Sequence, residues 1–384
     1  MHIEALYIHP IKSLLPVRIT ASEITPLGLP HDRTFVLIRA DTHEHLSIGK
    51  LSALCLFAVA VDGGTLTVTH TLTGAAVSLP LTPPAAALLP AIEVTLHASP
   101  CGGQPLRDGA PDAFFSAHLG FCARLLFLGG GASRAVLGNV APPASWWAAA
   151  PRITFADCAP LLVVSAASVA AAAARVGGVD ARAFRANVVV APDAGEALPA
   201  FDEDYWAALR VAARVRLALT ANCGRCVSVN VDVATGGALP APQQPLRALA
   251  ADRRVDRGLR FAPVFGRYAF LEGAPDAVRE GDRVEVVRRN EERTVFGGWL
   301  PRCCRGVLMG QSGRGFRGRR ERWDGRRDFN RRRCQRDGWP DKCDDYDNRR
   351  QDINRRRYQR DSWPINVMIV INRRQDINGQ QDVN

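Results

Sequence analysis

Two cysteines stand three residues apart between two stretches of strand-like sequence. Apolar residues alternate over 215–219, before the segment Asn222-Cys223-Gly224-Arg225-Cys226, and again over 227–231 after it. Alternation of this kind is typical of a half-buried β-strand. The pattern therefore predicts a turn and a strand start that present a thiolate beside a guanidinium. A neighbouring cation favours the thiolate, which is the form that binds soft metals.

The motif by itself fits three kinds of site. A structural zinc site needs four ligands, but the chain has no second Cys-x-x-Cys, and all eight histidines lie at or before His118. A thioredoxin-like dithiol normally opens a helix after a strand, whereas apolar alternation follows Cys226 at once. Two semi-buried cysteines without a chemical role are the simplest interpretation. The motif alone leaves these alternatives open.

Residues 1–100 contain many short apolar or alternating runs with turn residues between them. Asp62-Gly63-Gly64 separates two of these runs and predicts a hairpin. Frequent strands with short turns are typical of a small barrel or sandwich. The strands predicted in this part are Ile3–Ile8, Val17–Ile24, Thr34–Ile38, Leu54–Val61, Leu66–His70, Ala76–Leu79 and Ile92–Leu96.

The sequence that follows mixes strands with short helices. Pro111 and Gly120 mark the start and end of a short helix. Ser165 is expected to cap a helix over Ala166–Val176, after an apolar strand. The other predicted elements are strands at Arg124–Leu128, Leu161–Val164, Phe184–Val190, Leu209–Thr220, Phe265–Leu271 and Arg283–Val287, and a helix near Leu246–Ala251.

The positive charge of the chain belongs to its C-terminal end. Residues 290–384 hold 23 Lys and Arg against 14 Asp and Glu, whereas the preceding residues hold 26 against 24. The charge therefore gives no reason to expect nucleic-acid binding by the folded body. The tail repeats with a period of about 24 residues and offers few apolar side chains, so disorder is expected. Its Arg-Gly segment 314–320 allows nucleic-acid binding through the tail only; an extension without a role is the alternative.

Location and redox state follow from what the sequence lacks. No run of 18 or more apolar residues is present, so no membrane span is expected. The first residues carry no basic segment followed by an apolar one, so no secretory signal is predicted. A cytoplasmic, reducing location is expected, with the ten cysteines as free thiols.

Four separated stretches resemble the MOSC-domain family and occur in the family's order. They are Tyr7–Ser13, Asp32–Phe35, the motif with its continuation to Asp232, and Pro263–Tyr268. The resemblance covers roughly residues 1–288 and is greatest to the group of the mitochondrial amidoxime-reducing component and its fungal and bacterial relatives. It therefore also allows a mitochondrial association.

The resemblance implies a mixed, β-rich α+β fold. An N-terminal β-barrel-like domain is expected over residues 1–130. A MOSC β-barrel domain with flanking helices is expected over residues 131–289, and a disordered, Arg-rich, low-complexity tail over residues 290–384. The family's known properties include binding of the molybdenum cofactor, and its family annotation also includes pyridoxal phosphate binding.

Carried over residue by residue, the resemblance makes Cys226 the protein thiolate on molybdenum. Asp157 becomes a candidate for orienting the substrate, although Cys158 and Ala159 replace the hydroxyl residues that the family carries beside it. From the residues alone, Asp157 is equally a turn aspartate. The side chains implied in binding the pterin cofactor are Lys12, Ser13, Arg33, Arg185, Asn187, Arg225 and Tyr268.

Several of these residues have ordinary structural interpretations as well. Lys12 and Ser13 follow a strand, where they fit either a phosphate site or a solvated surface. Arg33 can simply pair with Asp32, and Tyr268 can be a barrel tyrosine.

The function implied is a molybdenum-cofactor oxidoreductase that reduces small N-hydroxylated compounds at the N–O bond. Cys303, Cys304, Cys334 and Cys343 do not have the spacing of a plant-type [2Fe–2S] domain. An external electron donor of the cytochrome b5 or ferredoxin type is therefore expected. The alternatives are a cofactor-binding or sulfur-carrying MOSC protein, as in molybdenum-cofactor sulfurases, and a nucleic-acid-binding protein that acts through the tail.

Overall fold

The computed structural model describes residues 1–96, 99–129, 133–136, 140–142 and 151–297. All of them lie in one compact unit of the chain. The strands are β1 (His2–Ile8), β2 (Val17–Ile19), β3 (Ala21–Ile24), β4 (Phe35–Arg39), β5 (Phe57–Asp62), β6 (Thr65–His70), β7 (Ala76–Pro80), β8 (Ile92–Leu96), β9 (Ser99–Pro105), β10 (Ala123–Phe127), β11 (Arg134–Ala135), β12 (Arg152–Ile153), β13 (Leu161–Ser165), β14 (Val188–Ala191), β15 (Trp206–Val211), β16 (Val215–Gly224), β17 (Val264–Glu272), β18 (Asp276–Arg279) and β19 (Val284–Arg289). The helices are α1 (Ala110–Leu119), α2 (Ala166–Ala174) and α3 (Pro245–Ala250).

An eight-stranded sheet in the order β19-β15-β16-β17-β13-β14-β1-β2 positions the cysteine motif. Most neighbours in it are antiparallel, but β13 and β14 run parallel and are joined by α2. Trp206, Leu217 and Leu271 belong to the buried cluster along this sheet. The sheet includes strands from both sides of residue 130, and the division into domains at that residue stays a prediction.

The remaining N-terminal strands form smaller sheets. β4-β10-β9-β8 and β5-β6-β7 are antiparallel. Phe35, Phe57 and Phe115 share one buried cluster there. The predicted hairpin is confirmed, since β5 and β6 pair across Gly63 and Gly64. The β-rich fold with few helices is thus confirmed.

Capping explains where the helices begin and end. The α1 helix carries Pro111 in its first turn and ends at Gly120, which has a left-handed conformation that glycine adopts readily. The Ser165 side chain accepts a hydrogen bond from the backbone N–H of Ser168, as expected of an N-cap residue. Both helices therefore form where the sequence predicts them.

The strand predicted after Cys226 is wrong. Val227–Asn230 form a 3-10 turn, with Val227 56% exposed and Val229 buried. With three residues per turn, positions two apart point in different directions. The ladder cannot continue, because Gly224 already pairs with Val264, the first residue of β17.

The packed body extends past residue 289, where the tail was predicted to begin. Arg293 Nε donates to Asp204 at 2.8 Å, and Phe296 is 5% exposed. The tail boundary at residue 290 stays a prediction, and side chains up to Phe296 make buried contacts with the body. The repeats and the predicted disorder lie beyond the described residues. Within the described ranges, no helix combines the length and apolar character that crossing a membrane requires.

Candidate cofactor site

The turn after β1 buries Lys12 at the edge of the site. Lys12 is 6% exposed, and its Nζ donates to Phe155 O at 2.9 Å and pairs with the Asp157 carboxylate. Burial lowers the pKa of Lys12, and Asp157 opposes that effect. Ser13 follows with φ +74°, in the left-handed region. The Asp157 side chain is half exposed, so it lies between the buried lysine and solvent.

Arg33 joins the N-terminal part to the chain before β14. Its Nη1 lies 2.5 Å from Asp32 Oδ2 and 3.2 Å from Asn187 Oδ1, and its Nη2 donates to Arg185 O at 3.1 Å. Asp32 is 1% exposed and also accepts from the backbone N–H of His9. Arg33 therefore pairs with Asp32, as one interpretation of the sequence expects, and it also lies beside Arg185.

The side chain of Asn187 forms hydrogen bonds that hold the fold together. It is 1% exposed; its Oδ1 accepts from Leu162 N at 3.1 Å, and its Nδ2 donates to Tyr7 O at 3.1 Å. These bonds tie β1 to β13 and β14 while Arg33 takes the remaining oxygen lone pair. Asn187 therefore fixes the positions of its neighbours, and its contact with the cofactor stays a prediction.

Arg185 has unused hydrogen-bonding capacity. It adopts φ +57°, and its Nη1 donates to Leu14 O at 2.9 Å. Its Nη2 is buried and finds no hydrogen-bond partner among the described residues. Burial and the nearby Arg33 lower the pKa of Arg185 to about 10. A buried guanidinium in this state favours an anion beside it.

Arg225 repeats this arrangement from the cysteine motif. Its Nη1 donates to Cys223 Sγ at 3.0 Å, and its Nη2 donates to Phe184 O at 2.8 Å. Its buried Nε has no partner in the described part of the chain. Burial disfavours the charged form, but the sulfur atoms of Cys223 and Cys226 outweigh that effect and raise the pKa of Arg225.

The two cysteines have different surroundings. Cys226 is exposed, opens the 3-10 turn and lies 3.1 Å from Ser228 Oγ. Cys223 is 5% exposed, and its Sγ lies 3.3 Å from the Tyr268 hydroxyl. Cys226 is therefore the more accessible of the two thiols, and its role as metal ligand stays a prediction of the family resemblance.

Tyr268 and Cys158 line the apolar side of the site. Burial raises the pKa of both groups well above their ordinary values, and each side chain also affects the pKa of the other. Both side chains are therefore neutral proton donors near pH 7. Cys158 stands where the family carries a hydroxyl residue.

A model of the MOSC N-terminal beta barrel domain matches residues 1–120, and a model of the MOSC domain matches residues 150–285. This chain contains both MOSC domains.

Proteins with two different names are similar in sequence to this chain. Mitochondrial amidoxime-reducing component 1 of Mus musculus is 26% identical over 296 residues, which cover 73% of this chain and 81% of that protein. Molybdenum cofactor sulfurase of Emericella nidulans is 36% identical over 120 residues, or 30% of this chain and 13% of that protein. The crystal structure of the YUAD protein from Bacillus subtilis covers 74% of this chain and 93% of its own, at 13% identity and a TM-score of 0.28.

Two buried groups beside the MOSC site had no sequence signal strong enough to assign them. Arg134 is 3% exposed, and its Nη2 donates to Ala156 O and, at 2.9 Å, to Asp157 O. His9 is fully buried, with Nε2 3.3 Å from Ala186 O. Arg134 follows a glycine-rich stretch that contains no motif, so the sequence provides no reason to select it. His9 lies inside the first stretch that resembles the family, so its position could have drawn attention to it.

A buried network of hydrogen bonds supports the MOSC cysteine motif. Arg267 is fully buried; its Nη1 donates to Asn222 Oδ1 at 2.8 Å and its Nη2 to Leu219 O at 2.8 Å. Asn222 Nδ2 donates in turn to Asp256 Oδ2 at 3.0 Å. Burial lowers the pKa of Arg267 to about 10. These bonds fix the backbone that presents Arg225 and Cys226.

Proposed function

We propose that this chain is a molybdenum-cofactor-dependent oxidoreductase that reduces the N–O bond of small N-hydroxylated compounds. The observation that carries the proposal is that Arg185 and Arg225 are neighbouring charges, and each has a buried N–H group with no partner among the described residues; the exposed Cys226 directly follows Arg225. Two such guanidinium groups are what a buried phosphate dianion requires. The similarity to a protein named amidoxime-reducing component supports the reaction class.

The donor set fits the cofactor. Arg185 and Arg225 would bind the phosphate directly, with Lys12 and Ser13 at its edge, and Arg33 would hold Arg185 in place. Tyr268 would lie on the side of the metal. Cys226 would supply a soft thiolate ligand. When bound, the cofactor supplies the two-electron redox centre of the reaction.

The chain's own residues then handle substrate and protons. Reduction of R–NH–OH consumes two electrons and two protons and yields R–NH2 and water. The half-exposed Asp157 carboxylate would hold an amidine or hydroxylamine nitrogen by hydrogen bonding. Its pairing with Lys12 fixes its orientation. The two electrons would come from an external protein donor.

The test is the molybdenum and pterin content of the purified protein beside Cys226→Ser. We expect near-stoichiometric metal in the wild type and lost or altered metal in the variant, with N-hydroxylated substrates reduced only by the loaded wild type. Cys122→Ser is the matched control, because Cys122 is also exposed and free. A wild type without metal or pterin after adequate cofactor supply would refute the proposal.

A cofactor-binding or sulfur-carrying role is the second candidate, favoured by the 36% identity to the sulfurase segment. It predicts bound cofactor without N–O reduction in the presence of a working electron donor. Nucleic-acid binding through the tail is a separate proposal. It predicts that deletion of residues 298–384 abolishes RNA binding and leaves cofactor binding intact. The deletion must start there because residues up to Phe296 pack into the body.

The cytoplasmic location, with a possible mitochondrial association, also stays a proposal, which fractionation of expressing cells would test.

A further inference from the structure

The segment after α3 is fixed to the body at two buried charges. Arg253 is 4% exposed, and its Nη2 lies 2.7 Å from both carboxylate oxygens of Asp204. Asp256 is 1% exposed and accepts from Gly258 N at 2.8 Å and from Asn222 Nδ2 at 3.0 Å. A loop held at two internal points keeps a defined shape without a partner.

The residues between and beyond these anchors point into solvent. Arg254, Arg257 and Arg260 are exposed, and none of them forms an ion pair within the described part of the chain. Phe261 is 82% exposed, more than any other large hydrophobic side chain that the structure describes. The Arg260 guanidinium lies 5.6 Å from the centre of its ring. We call residues 254–261 the arginine loop.

The arginine loop lies against the cysteine motif. A Cβ on Gly224 would lie 3.0 Å from Leu259 Cδ1, within the loop, and 3.5 Å from Ala262 Cβ, just after it. The backbone N–H of Arg225 donates to Pro263 O at 2.8 Å. Cys226 is the next residue and is exposed. The loop therefore borders the opening of the proposed metal site.

We propose that the arginine loop is the docking surface for a small acidic redox protein that delivers electrons to this site. The inference rests on the proposed function and names the partner's chemistry. Electron-transfer encounters use small interfaces and depend on charge complementarity. Three arginines without an ion pair among the described residues, in one short loop with an exposed aromatic ring, provide both a positive field and an apolar contact point.

Other occupants fit the charges less well. The chain's own tail is a poor occupant, because residues 290–384 hold 23 basic against 14 acidic residues and would be repelled. A nucleic acid needs a basic track along its backbone. Residues 1–289 hold 26 basic against 24 acidic residues, so the body's charges nearly balance.

The electron balance is simple. Each encounter oxidises one donor molecule by one electron, so two encounters supply the two electrons that one N–O bond requires. The two protons come from solvent. No other oxidant or reductant is needed.

The test uses the full-length, cofactor-loaded protein with three arginines changed to glutamine, R254Q/R257Q/R260Q. The control R214Q/R216Q/R283Q removes the same charge at the far end of β16, roughly 30 Å away at about 3.3 Å per residue. The donor probe is a soluble acidic cytochrome b5-type haem domain, and dithionite is the reductant that needs no docking. Readouts are the second-order rate of haem oxidation and calorimetric binding of the haem domain.

At about 0.01 M ionic strength we expect the loop variant to react about tenfold more slowly and to bind more weakly, and at about 1 M the difference should vanish. The control and all dithionite rates should match the wild type. Equal donor rates in loop variant and wild type would overturn the docking surface. So would weaker RNA binding by the loop variant at an unchanged donor rate. A wild type that reduces no N-hydroxylated compound even with dithionite would instead refute the proposed function.

Discussion

At the scale of single residues, the site is a place where stability and binding oppose each other. Arg185 keeps a guanidinium in a buried position with one nitrogen unpartnered, and its pKa falls to about 10. Buried polar groups without partners destabilise the folded state. The proposed anion site would give such a group beside Cys226 the partner that the described residues do not supply.

Arg185→Gln is predicted to separate these two contributions. The apoprotein should keep its free energy of unfolding to within about 1 kcal/mol, because loss of the bond to Leu14 O is offset by removal of a buried charge. Inorganic phosphate at ten times its Kd should stabilise the wild type by about 1.4 kcal/mol and the variant hardly at all. Urea unfolding with and without phosphate measures both effects. Arg182→Gln, an exposed arginine paired with Asp180, should behave like the wild type.

His9 gives the site a predicted pH dependence. Burial and the neighbouring Arg33 and Arg185 lower its pKa well below 6.5, so it is neutral in the folded protein. Its Nε2 must carry the proton donated to Ala186 O. The unfolded state gains a proton below pH 6.5 that the folded state does not, so stability is lost as pH falls through that value.

His9→Gln should therefore reduce the loss of unfolding free energy between pH 7.5 and 5.5 by about 1.4 kcal/mol. Glutamine keeps a donor toward Ala186 O and cannot titrate. Denaturant titrations at the two pH values give the comparison, and the exposed His43→Gln serves as control. An unchanged pH dependence in His9→Gln would show that His9 has the same pKa in the folded and the unfolded protein.

At the scale of elements, the sequence was informative wherever a local rule determined the outcome. Capping by Ser165 and Gly120 predicted both ends of helices, and Asp62-Gly63-Gly64 predicted a hairpin. The turn after Cys226 was mispredicted because valine alternation says nothing about whether a partner strand exists. Only the sheet shows that β17 begins opposite Gly224.

Gly266 in β17 is a second position where the pairing of strands decides which residue the fold accepts. It has φ +79°, and a Cβ there would lie 2.7 Å from Val164 Cγ1 and 2.9 Å from Val163 O. Gly266→Ala should cost about 1–3 kcal/mol of unfolding free energy for this overlap, beyond the backbone strain. Gly273→Ala is the matched control, since it also has positive φ but meets nothing within 4 Å. Equal losses in the two variants would show that β13 yields to the extra methyl group.

At the scale of the whole molecule, the site is assembled from segments far apart in sequence. Lys12 and Arg33 come from the N-terminal part, Arg185 from before β14, and Arg225 from the end of β16. Resemblance predicted these residues as a set, but composition and periodicity could not bring them together. Arg134 stayed hidden because an isolated arginine in a glycine-rich stretch carries no local signal; its role depends on where Ala156 and Asp157 lie.

The end of the packed body can be tested by truncation. Arg267 and Asp256 bind residues past 289: Arg267 Nη1 donates to Thr294 Oγ1 at 2.7 Å, and Phe296 N donates to Asp256 Oδ1 at 2.9 Å. Ending the chain at Arg289 leaves these buried groups short of partners and should cost about 3–5 kcal/mol of unfolding free energy. A chain ending at Gly297 retains all these bonds and should unfold like the full-length protein in urea. Equal stability of the two truncated chains would mean that solvent replaces the bonds, and that the boundary at residue 289 was right.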